Sequence, residues 1–201
     1  MDSKIDSRKR RTRNYLRSAL AKLLHEKDIA MISVNELITT AQISRGTFYL
    51  HYSDLNDFIN TLINETLTDM FHKINAVTKL DDDQTFVTRN IVLLEYIAKD
   101  AEFFAGMLGE NGPKEFQNRW RELAVEHFQQ KYHSLALKDP RYMLMLLHKD
   151  IFGAYNIAAQ METIKFWLLG GIQYSPAFLA KILAEIRSST IQVILNTLNN
   201  K

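Results

Sequence analysis

The chain has 201 residues, which is enough for one domain with a sizeable core or for a small module joined to a larger one. It contains no cysteine, which excludes disulfides and thiolate metal sites, and none of its apolar runs approaches the ~18 residues of a membrane span. Because no hydrophobic stretch follows the basic N-terminus, we expect no signal peptide, no membrane segment and a cytoplasmic location.

Positive charge is concentrated at the N-terminus. Residues 1–27 contain nine Lys or Arg and three Asp or Glu, a net charge of +6. Because the whole chain carries +2, the remaining 174 residues carry −4. A basic N-terminal segment on a mildly acidic body predicts a polyanionic partner at that end, with a solvated basic tail as the alternative.

Helical periodicity dominates the sequence and strand patterns are almost absent, which predicts an all-α fold. Between residues 16 and 24, apolar side chains recur at the spacing of an amphipathic helix, which is predicted over about residues 8–27. Ser33 and Glu36 have the spacing of a capping box, in which each side chain bonds the backbone N–H of the other. They predict a short second helix over about residues 34–41.

Two further helix starts follow closely. Ser44 is expected to cap a short third helix, and Ser53 or Asp54 to begin a longer fourth helix. In total we expect nine helices, four of them within residues 8–77 and five within residues 83–199.

Glycine and proline mark the helix ends in the C-terminal half. A helix is expected over about residues 83–99, and Gly106 and Gly109 are expected to break the next segment into one short helix and a loop. Gly170-Gly171 is a typical C-terminal stop. Proline also follows a capping type of residue at three places, where it fits the first position of a helix: Pro113, Pro140 and Pro176.

The second and third helices, joined by a tight turn, have the pattern of a helix-turn-helix motif. In this motif the second helix lies in the DNA major groove and presents its N-terminal side chains to base edges. Phe48 and Tyr52 are four residues apart and are expected to turn inward with Leu37 and Ile43. The other residues of the third helix are then left on its outer face: Arg45, Gly46, Thr47, Tyr49, Leu50 and His51.

These outward residues suit contact with DNA. Arg45 can donate to guanine or to a phosphate, and Gly46 allows the backbone to approach closely. Thr47, Tyr49 and His51 are donors of the kind that position a protein on phosphates. We therefore interpret the exposed aromatic and histidine side chains as phosphate contacts and not as parts of a catalytic site.

The segment "SVNELITTAQ" followed by "ISRGTFYLHYSD" resembles the DNA-binding domain of TetR-family transcriptional regulators. In that family a Ser or Thr opens helix 2, and helix 3 reads Thr-aromatic-Tyr-x-His-aromatic. The resemblance covers about the first third of the chain and implies two sets of DNA contacts. The residues implied to contact the DNA backbone are Ser33, Thr47, Tyr49 and His51. The residues implied to read bases are Asn35, Arg45, Gly46 and Leu50.

Two positions depart from the family pattern. The turn holds Gln42 where the family usually has glycine, and a non-glycine residue at positive φ costs about 1 kcal/mol. Leu55 stands where the family commonly has a lysine that contacts phosphate, so one contact is missing. The arginines within residues 8–13 are expected to compensate by neutralising phosphates from an N-terminal arm.

The segment "IKFWLLGGIQYSPAFLAKIL" resembles the end of the C-terminal domain that is common in Firmicute members of the family. The resemblance implies that the last two helices form a four-helix dimer interface, so that the protein is a homodimer through about residues 140–199. The residues agree with this implication, because the apolar stripe from Leu179 to Leu198 is too long for one small bundle to cover alone.

An effector pocket is expected within about residues 85–165, where aromatic residues and methionine are plentiful. A plain apolar core is the alternative for each of them. The candidates are Phe103, Phe104, Met107, Trp120, Phe128, Met143, His148, Phe152, Tyr155 and Met161. The histidines have no metal-ligand spacing, and the chain has no phosphate loop, nucleophile elbow or HExxH motif. We therefore expect no metal, no cofactor and no enzyme activity.

The sequence predicts a DNA-binding transcriptional regulator, a repressor that binds palindromic double-stranded DNA as a dimer and is released by a small-molecule effector. The alternative is a TetR-fold coactivator that acts mainly through a protein partner. We expect a helix-turn-helix DNA-binding domain at residues 1–53, a connecting helix at residues 54–77, and an effector-binding and dimerisation domain at residues 78–201.

Overall fold

The structure, a computed structural model, describes residues 2–77, 83–137 and 149–199, and over these ranges the chain forms α-helices and no β-strand. The all-α prediction is confirmed. None of the helices in these ranges is long and apolar enough to cross a membrane. The nine α-helices of the described ranges are α1 (Asp2–Glu26), α2 (Val34–Thr40), α3 (Arg45–Tyr49), α4 (Leu55–Ala76), α5 (Asp83–Lys99), α6 (Ala101–Leu108), α7 (Lys114–Ala136), α8 (Lys149–Leu169) and α9 (Pro176–Asn199).

Local hydrogen bonds define the ends of several helices. Ser33 Oγ accepts from the backbone N–H of Glu36 at 3.2 Å, and Glu36 Oε2 accepts from the backbone N–H of Ser33 at 2.9 Å, so the predicted capping box is confirmed. Ser44 caps α3 by accepting from the backbone N–H three residues on. Pro176 is the first residue of α9 as predicted, whereas Pro140 lies outside the described residues.

The chain divides into two compact units. The first unit consists of residues 1–69 and 100–117, and the second consists of residues 70–99 and 118–201. Residues 100–117, which contain α6, therefore belong with the N-terminal helices, although we expected them in a C-terminal domain.

Within the first unit, α6 packs against α1. Gly109 ends α6 as predicted, but Gly106 lies inside it, where a Cβ would be only 3.2 Å from a side-chain atom of α1. The guanidinium of Arg17 covers the buried ring of Phe103, with its Cζ 3.4 Å from the ring centre. Arg17 also donates to Asp100 Oδ2 at 2.7 Å. A close glycine contact and one stacked, ion-paired arginine thus hold α6 on α1.

In the second unit, α5 and α9 pack along each other. The apolar core of this unit is drawn from several helices and includes Leu94, Ile97, Ile164, Trp167, Leu179 and Leu183. Asn90 is a buried polar residue in this core, and its side-chain nitrogen donates to the carbonyl of Phe86 at 2.9 Å. Its amide oxygen accepts from Gln160 Nε2 at 2.5 Å. The core of the second unit therefore contains a satisfied polar pair beside its apolar residues.

The turn of the helix-turn-helix motif contains a residue in the left-handed region. Gln42 has a φ of 55°. Its N–H donates to the carbonyl of Thr39 at 3.1 Å, and the N–H of Ile43 donates to the carbonyl of Ile38 at 3.1 Å. These two bonds form a Schellman motif, in which glycine is the favoured residue at the position that Gln42 occupies.

The end of α8 has the same motif with glycine at the matching position. Gly171 has a φ of 86° and donates to the carbonyl of Leu168 at 3.2 Å. The N–H of Ile172 donates to the carbonyl of Trp167 at 2.9 Å. The helix stop predicted at Gly170-Gly171 is therefore confirmed.

Replacing Gln42 with glycine should stabilise the protein by about 1 kcal/mol, because the left-handed conformation costs a residue with a Cβ about that much. The matched control is Gly171→Ala, whose new Cβ would meet no atom within 4 Å and which should lose a similar free energy through backbone strain alone. Urea denaturation measures both free energies of unfolding. An unchanged or lower stability of Gln42→Gly would contradict this assignment of the turn.

Candidate functional site

The orientation of α3 is fixed by aromatic packing in the first unit. Phe48 is fully buried, and its ring centre lies 5.6 Å from that of Tyr52 and 6.3 Å from that of Phe58. The rings of Tyr52 and Phe58 are 5.0 Å apart and close the cluster. Leu37 of α2 is also fully buried, while Ile43 is half-buried. The predicted inward side of the motif is therefore confirmed, and it joins α3 to α4.

The opposite side of α3 faces solvent. Arg45, Gly46, Tyr49 and Leu50 are exposed, and Leu50 is 77% exposed although it is apolar. A Cβ added to Gly46 would meet only the hydroxyl of Ser44, at 3.9 Å, so packing within the protein does not require glycine there. An apolar side chain beside a bare stretch of backbone suits contact with a thymine methyl group and close approach to DNA.

Three of the predicted phosphate contacts lie on this short helix or just after it. Thr47 is half-buried, and its Oγ1 shares a hydrogen bond of 2.8 Å with Ser44 Oγ. Tyr49 packs edge-on against Phe48, with ring centres 5.3 Å apart, and leaves its outer part exposed. His51 is half-buried just after the helix. The cap of α3 thus holds Thr47, and packing on Phe48 holds Tyr49, at the fixed positions that a phosphate contact requires.

The start of α2 carries the remaining two predicted contacts. Asn35 is exposed. Ser33 Oγ donates to Glu36 Oε2 at 2.8 Å, and Lys27 Nζ lies 2.6 Å from Glu36 Oε1. The hydrogen bonds from Lys27 and then from Ser33 lower the pKa of Glu36 to about 2. The Glu36 carboxylate of the capping box, which positions Ser33 and Asn35, therefore stays ionised through the ordinary pH range.

The basic residues of α1 fall into two groups. Arg13 is paired with Glu65 at 2.6 Å, and Arg17 is paired with Asp100, so these two arginines serve the packing of the first unit. A second group is exposed: Lys9, Arg10, Arg11 and Lys22. α1 starts at Asp2, so the segment that we expected as an arm is helical, and the side chains before Lys9 lie outside the described residues.

One exposed aromatic residue on α1 was missed by the sequence reasoning. Tyr15 is exposed, and its hydroxyl accepts from Arg11 Nε at 3.0 Å. The signal that could have found it is the spacing of four residues, which puts an arginine and a tyrosine on one polar helix face.

The second unit contains a cavity of about 210 Å³. Its wall is mostly apolar and includes Phe71, Ile74, Phe86, Leu93, Trp120, Phe128, Tyr155, Ile157, Ile164 and Leu183. Its polar wall residues include Arg89, Asn90, His127, Asn156, Gln160 and Arg187. An apolar cleft with a few polar groups is the usual form of a small-molecule site.

The structure brings together only part of the predicted pocket. Trp120, Phe128, Tyr155 and Met161 line the cavity. Another part is absent from the wall because it is buried in the first unit, where α6 packs on α1: Phe103, Phe104 and Met107. The last part cannot be placed, since Met143 and His148, and the side chain of Phe152, lie outside the described residues.

A chain of hydrogen bonds runs through the polar part of this wall. Arg89 Nη2 donates to Asn75 Oδ1 at 2.5 Å, and because a guanidinium can only donate, the other end of the Asn75 amide is its NH₂ group. That group lies 2.5 Å from His127 Nε2, which must accept and therefore carries no proton. The neutral ring then bears its proton on Nδ1, which is buried.

The sequence reasoning missed the polar wall as a whole. Arg89, Gln160 and Arg187 have the helical spacing of ordinary solvent-facing residues, and nothing local distinguishes them. Asn90 offered a weak signal, because it sits between apolar residues on a helix face that must be buried.

Substitutions at two adjacent positions should separate packing from surface function. Phe48→Ala removes a fully buried ring and should cost about 3–5 kcal/mol of stability. Tyr49→Ala removes a ring that is 45% exposed and should cost about 1 kcal/mol or less. Urea denaturation measures both. A large loss of stability in Tyr49→Ala would mean that Tyr49 is a core residue and not a surface contact.

The ring of His127 should make stability depend on pH. Burial lowers the pKa of His127 from its ordinary 6.5, and the positive charge of Arg89 lowers it further, against a smaller opposing effect of the Leu123 carbonyl. The unfolded chain therefore binds this proton at a higher pH than the folded chain does. Stability is full above about pH 6.5 and falls as the pH decreases below that value.

Thermal melts followed across this pH range test the linkage. His127→Gln should remove this part of the pH dependence, whereas His72→Gln, at an exposed position of α4, should keep it. The assigned direction of the pH dependence would be wrong if the melting temperature of the wild type rose as the pH fell below 6.5 and His127→Gln abolished that rise.

The chain is similar to known transcriptional regulators over most of its length. The family model TetR_C_8, described as "Transcriptional regulator C-terminal region", matches residues 90–189. An uncharacterized HTH-type transcriptional regulator of Bacillus subtilis (strain 168), YxbF, is 24% identical over 176 residues, which cover 86% of this chain and 44% of the relative. The chain thus spans less than half the length of that relative.

Two solved structures share the fold of this chain. A TetR transcriptional regulator from Streptococcus agalactiae 2603V has 20% sequence identity and a TM-score of 0.63, with 93% of this chain and 99% of that chain covered. The fatty acid degradation regulator FadR from Bacillus halodurans has 15% identity and a TM-score of 0.67, with 88% and 94% covered. With its helix-turn-helix motif, its all-α fold and the match of its C-terminal region, the chain belongs to the TetR family of transcriptional regulators.

Proposed function

We propose that the protein binds double-stranded DNA through the outer face of α3. The observation that supports this most is the two-sided character of the helix, with Phe48 fully buried and Arg45, Tyr49 and Leu50 exposed. Residues 9–54 also carry eight Lys or Arg against four Asp or Glu, so this end of the chain attracts phosphates.

The outward side chains divide by chemistry into two roles. Arg45 reads a guanine edge with its two-pronged guanidinium, and Leu50 contacts a thymine methyl group. Gly46 and Asn35 face the bases as well. The hydroxyl and imidazole groups hold the protein on the DNA backbone: Ser33, Thr47, Tyr49 and His51.

A homodimer would place two copies of α3 on one duplex. Exposed apolar side chains form one stripe along α8 and another along α9, and they include Ile151, Phe166, Leu169, Phe178, Ile186 and Val193. Stripes of this size are covered by a partner in stable proteins. We propose that they pair with the same helices of a second copy, which makes the operator a palindrome with half-sites about 34–36 Å apart.

Repression with release by a small molecule completes the proposal. The cavity of the second unit supports it, because this mostly apolar site with a few polar groups is suited to an organic ligand. A ligand lowers DNA affinity only if it favours a conformation that binds DNA less well.

Selection of duplexes from a random library, followed by fluorescence anisotropy, tests DNA binding. Arg45→Ala should lose about 1–3 kcal/mol of discrimination at one base position per half-site. Tyr49→Ala should weaken binding to all sequences alike and flatten the plot of log affinity against log salt by about one phosphate contact.

The control for these variants is Arg119→Ala, which removes an arginine from an exposed pair with Glu122 in the second unit and should leave DNA binding unchanged. Failure to select any duplex, or an Arg45→Ala variant with unaltered base preference, would contradict the proposal. In the first case a protein partner would become the better candidate.

Light scattering of a matched pair of variants tests the dimer. Phe166 is 79% exposed on the apolar stripe of α8, and Phe166→Arg should dissociate the dimer, because an obligate interface does not accept an unpaired buried charge. Leu137, at the end of α7, is 77% exposed and lies off both stripes, so Leu137→Arg should leave the dimer intact. A wild-type monomer at micromolar concentration would refute the interface.

A further inference from the structure

The charge on the wall of the cavity indicates what kind of molecule it holds. Arg89 of α5 and Arg187 of α9 both line it, and none of the lining residues that the structure describes is Asp or Glu. Most of the remaining wall is apolar or aromatic. We infer that the ligand is a small amphipathic anion, with an apolar or aromatic body that carries a carboxylate. This inference rests on the proposed effector site.

The two arginines occupy well-defined positions on the wall. Arg187 lies over the ring of Phe86, with Cζ 4.4 Å from the ring centre. Arg89 is held by Asn75, which in turn contacts His127. Contacts that hold a guanidinium in place preorganise its donors, and its planar geometry matches a carboxylate.

The polarity of the wall selects against the other ligand classes. A cationic ligand would meet two like charges, which repel it. A neutral apolar ligand would take water away from both guanidinium groups and give no hydrogen bond in return. A carboxylate replaces that water with charge-assisted hydrogen bonds, and the aromatic wall accommodates its apolar body.

The size of the cavity narrows the choice of ligand. The cavity, at about 210 Å³, is smaller than the roughly 300–1,000 Å³ of sites for drug-sized ligands, which restricts the ligand to a compact molecule.

Isothermal titration calorimetry with matched probes tests the inference on the full-length chain. One set is 3-phenylpropionate, 3-phenyl-1-propanol and 3-phenylpropylamine, and the other is octanoate, 1-octanol and octylamine. In at least one set the carboxylate should bind about tenfold or more tightly than the alcohol, because a hydrogen bond to a charged group contributes that much, and the amine should bind most weakly.

Variants then locate the preference in the wall. Arg187→Met and Arg89→Met should each weaken carboxylate binding about tenfold and leave alcohol binding nearly unchanged, while Arg187→Lys keeps most of the preference. The alcohol serves as the internal control for a folded cavity. Arg119→Met, at an exposed position outside the cavity wall, should behave as wild type.

The outcomes separate this inference from the proposed function. The anion assignment would be overturned if the alcohols or amines bound as tightly as the carboxylates, or if neither carboxylate bound at millimolar concentration. Either result would leave the proposal of DNA binding through α3 untouched. Carboxylates that bind with the expected arginine dependence but do not release DNA would support the ligand class and contradict the effector role.

Discussion

The candidate DNA interface depends on the burial of one ring, that of Phe48. α3 has only five residues, far fewer than a helix needs to persist by itself in water. Its position therefore comes from tertiary packing, in which Phe48 joins Tyr52 and Phe58 in a cluster fixed to the long helix α4. Because the ring faces inward, the helical period turns Arg45 and Tyr49 outward. The proposed DNA-binding surface of α3 therefore depends on the packing of Phe48 on the opposite side of the helix.

A second constraint links this surface to residues far along the chain. Arg17 of α1 lies over Phe103 and is ion-paired with Asp100, 83 residues away in the sequence. It also donates to Thr66 of α4 at 2.7 Å, so one side chain connects α1 with two other helices of the first unit, α4 and α6. Any rearrangement of residues 100–117 must therefore break or carry with it contacts of α1 and α4, the helices that support the motif.

What could be predicted from the sequence was local. Hydrogen bonds over three residues join Ser33 to Glu36 and Ser44 to Thr47. Residues close in the sequence were therefore enough to locate the starts of α2 and α3. The family pattern has glycine at the position of Gln42, which raised the question of a left-handed turn, and Gln42 has a φ of 55°.

What the sequence could not reveal was long-range. Phe103 has the same apolar spacing whether it lines a cavity or packs under an arginine, and only the fold decides that it packs on α1. Arg89 and Arg187, in helices almost a hundred positions apart, look like solvent-facing residues until folding brings them to one cavity wall. The size of the cavity and the positive charge on its wall arise only when these helices pack together.

Amide hydrogen exchange of the full chain, with and without a duplex obtained by selection, tests the central claim most directly. If α3 and the start of α2 meet DNA, protection should increase at residues 33–35 and 44–51, while α5 and α9 of the second unit change little. Protection confined to the second unit, or none at residues 44–51 with DNA fully bound, would show that the outer face of α3 is not the surface that binds DNA.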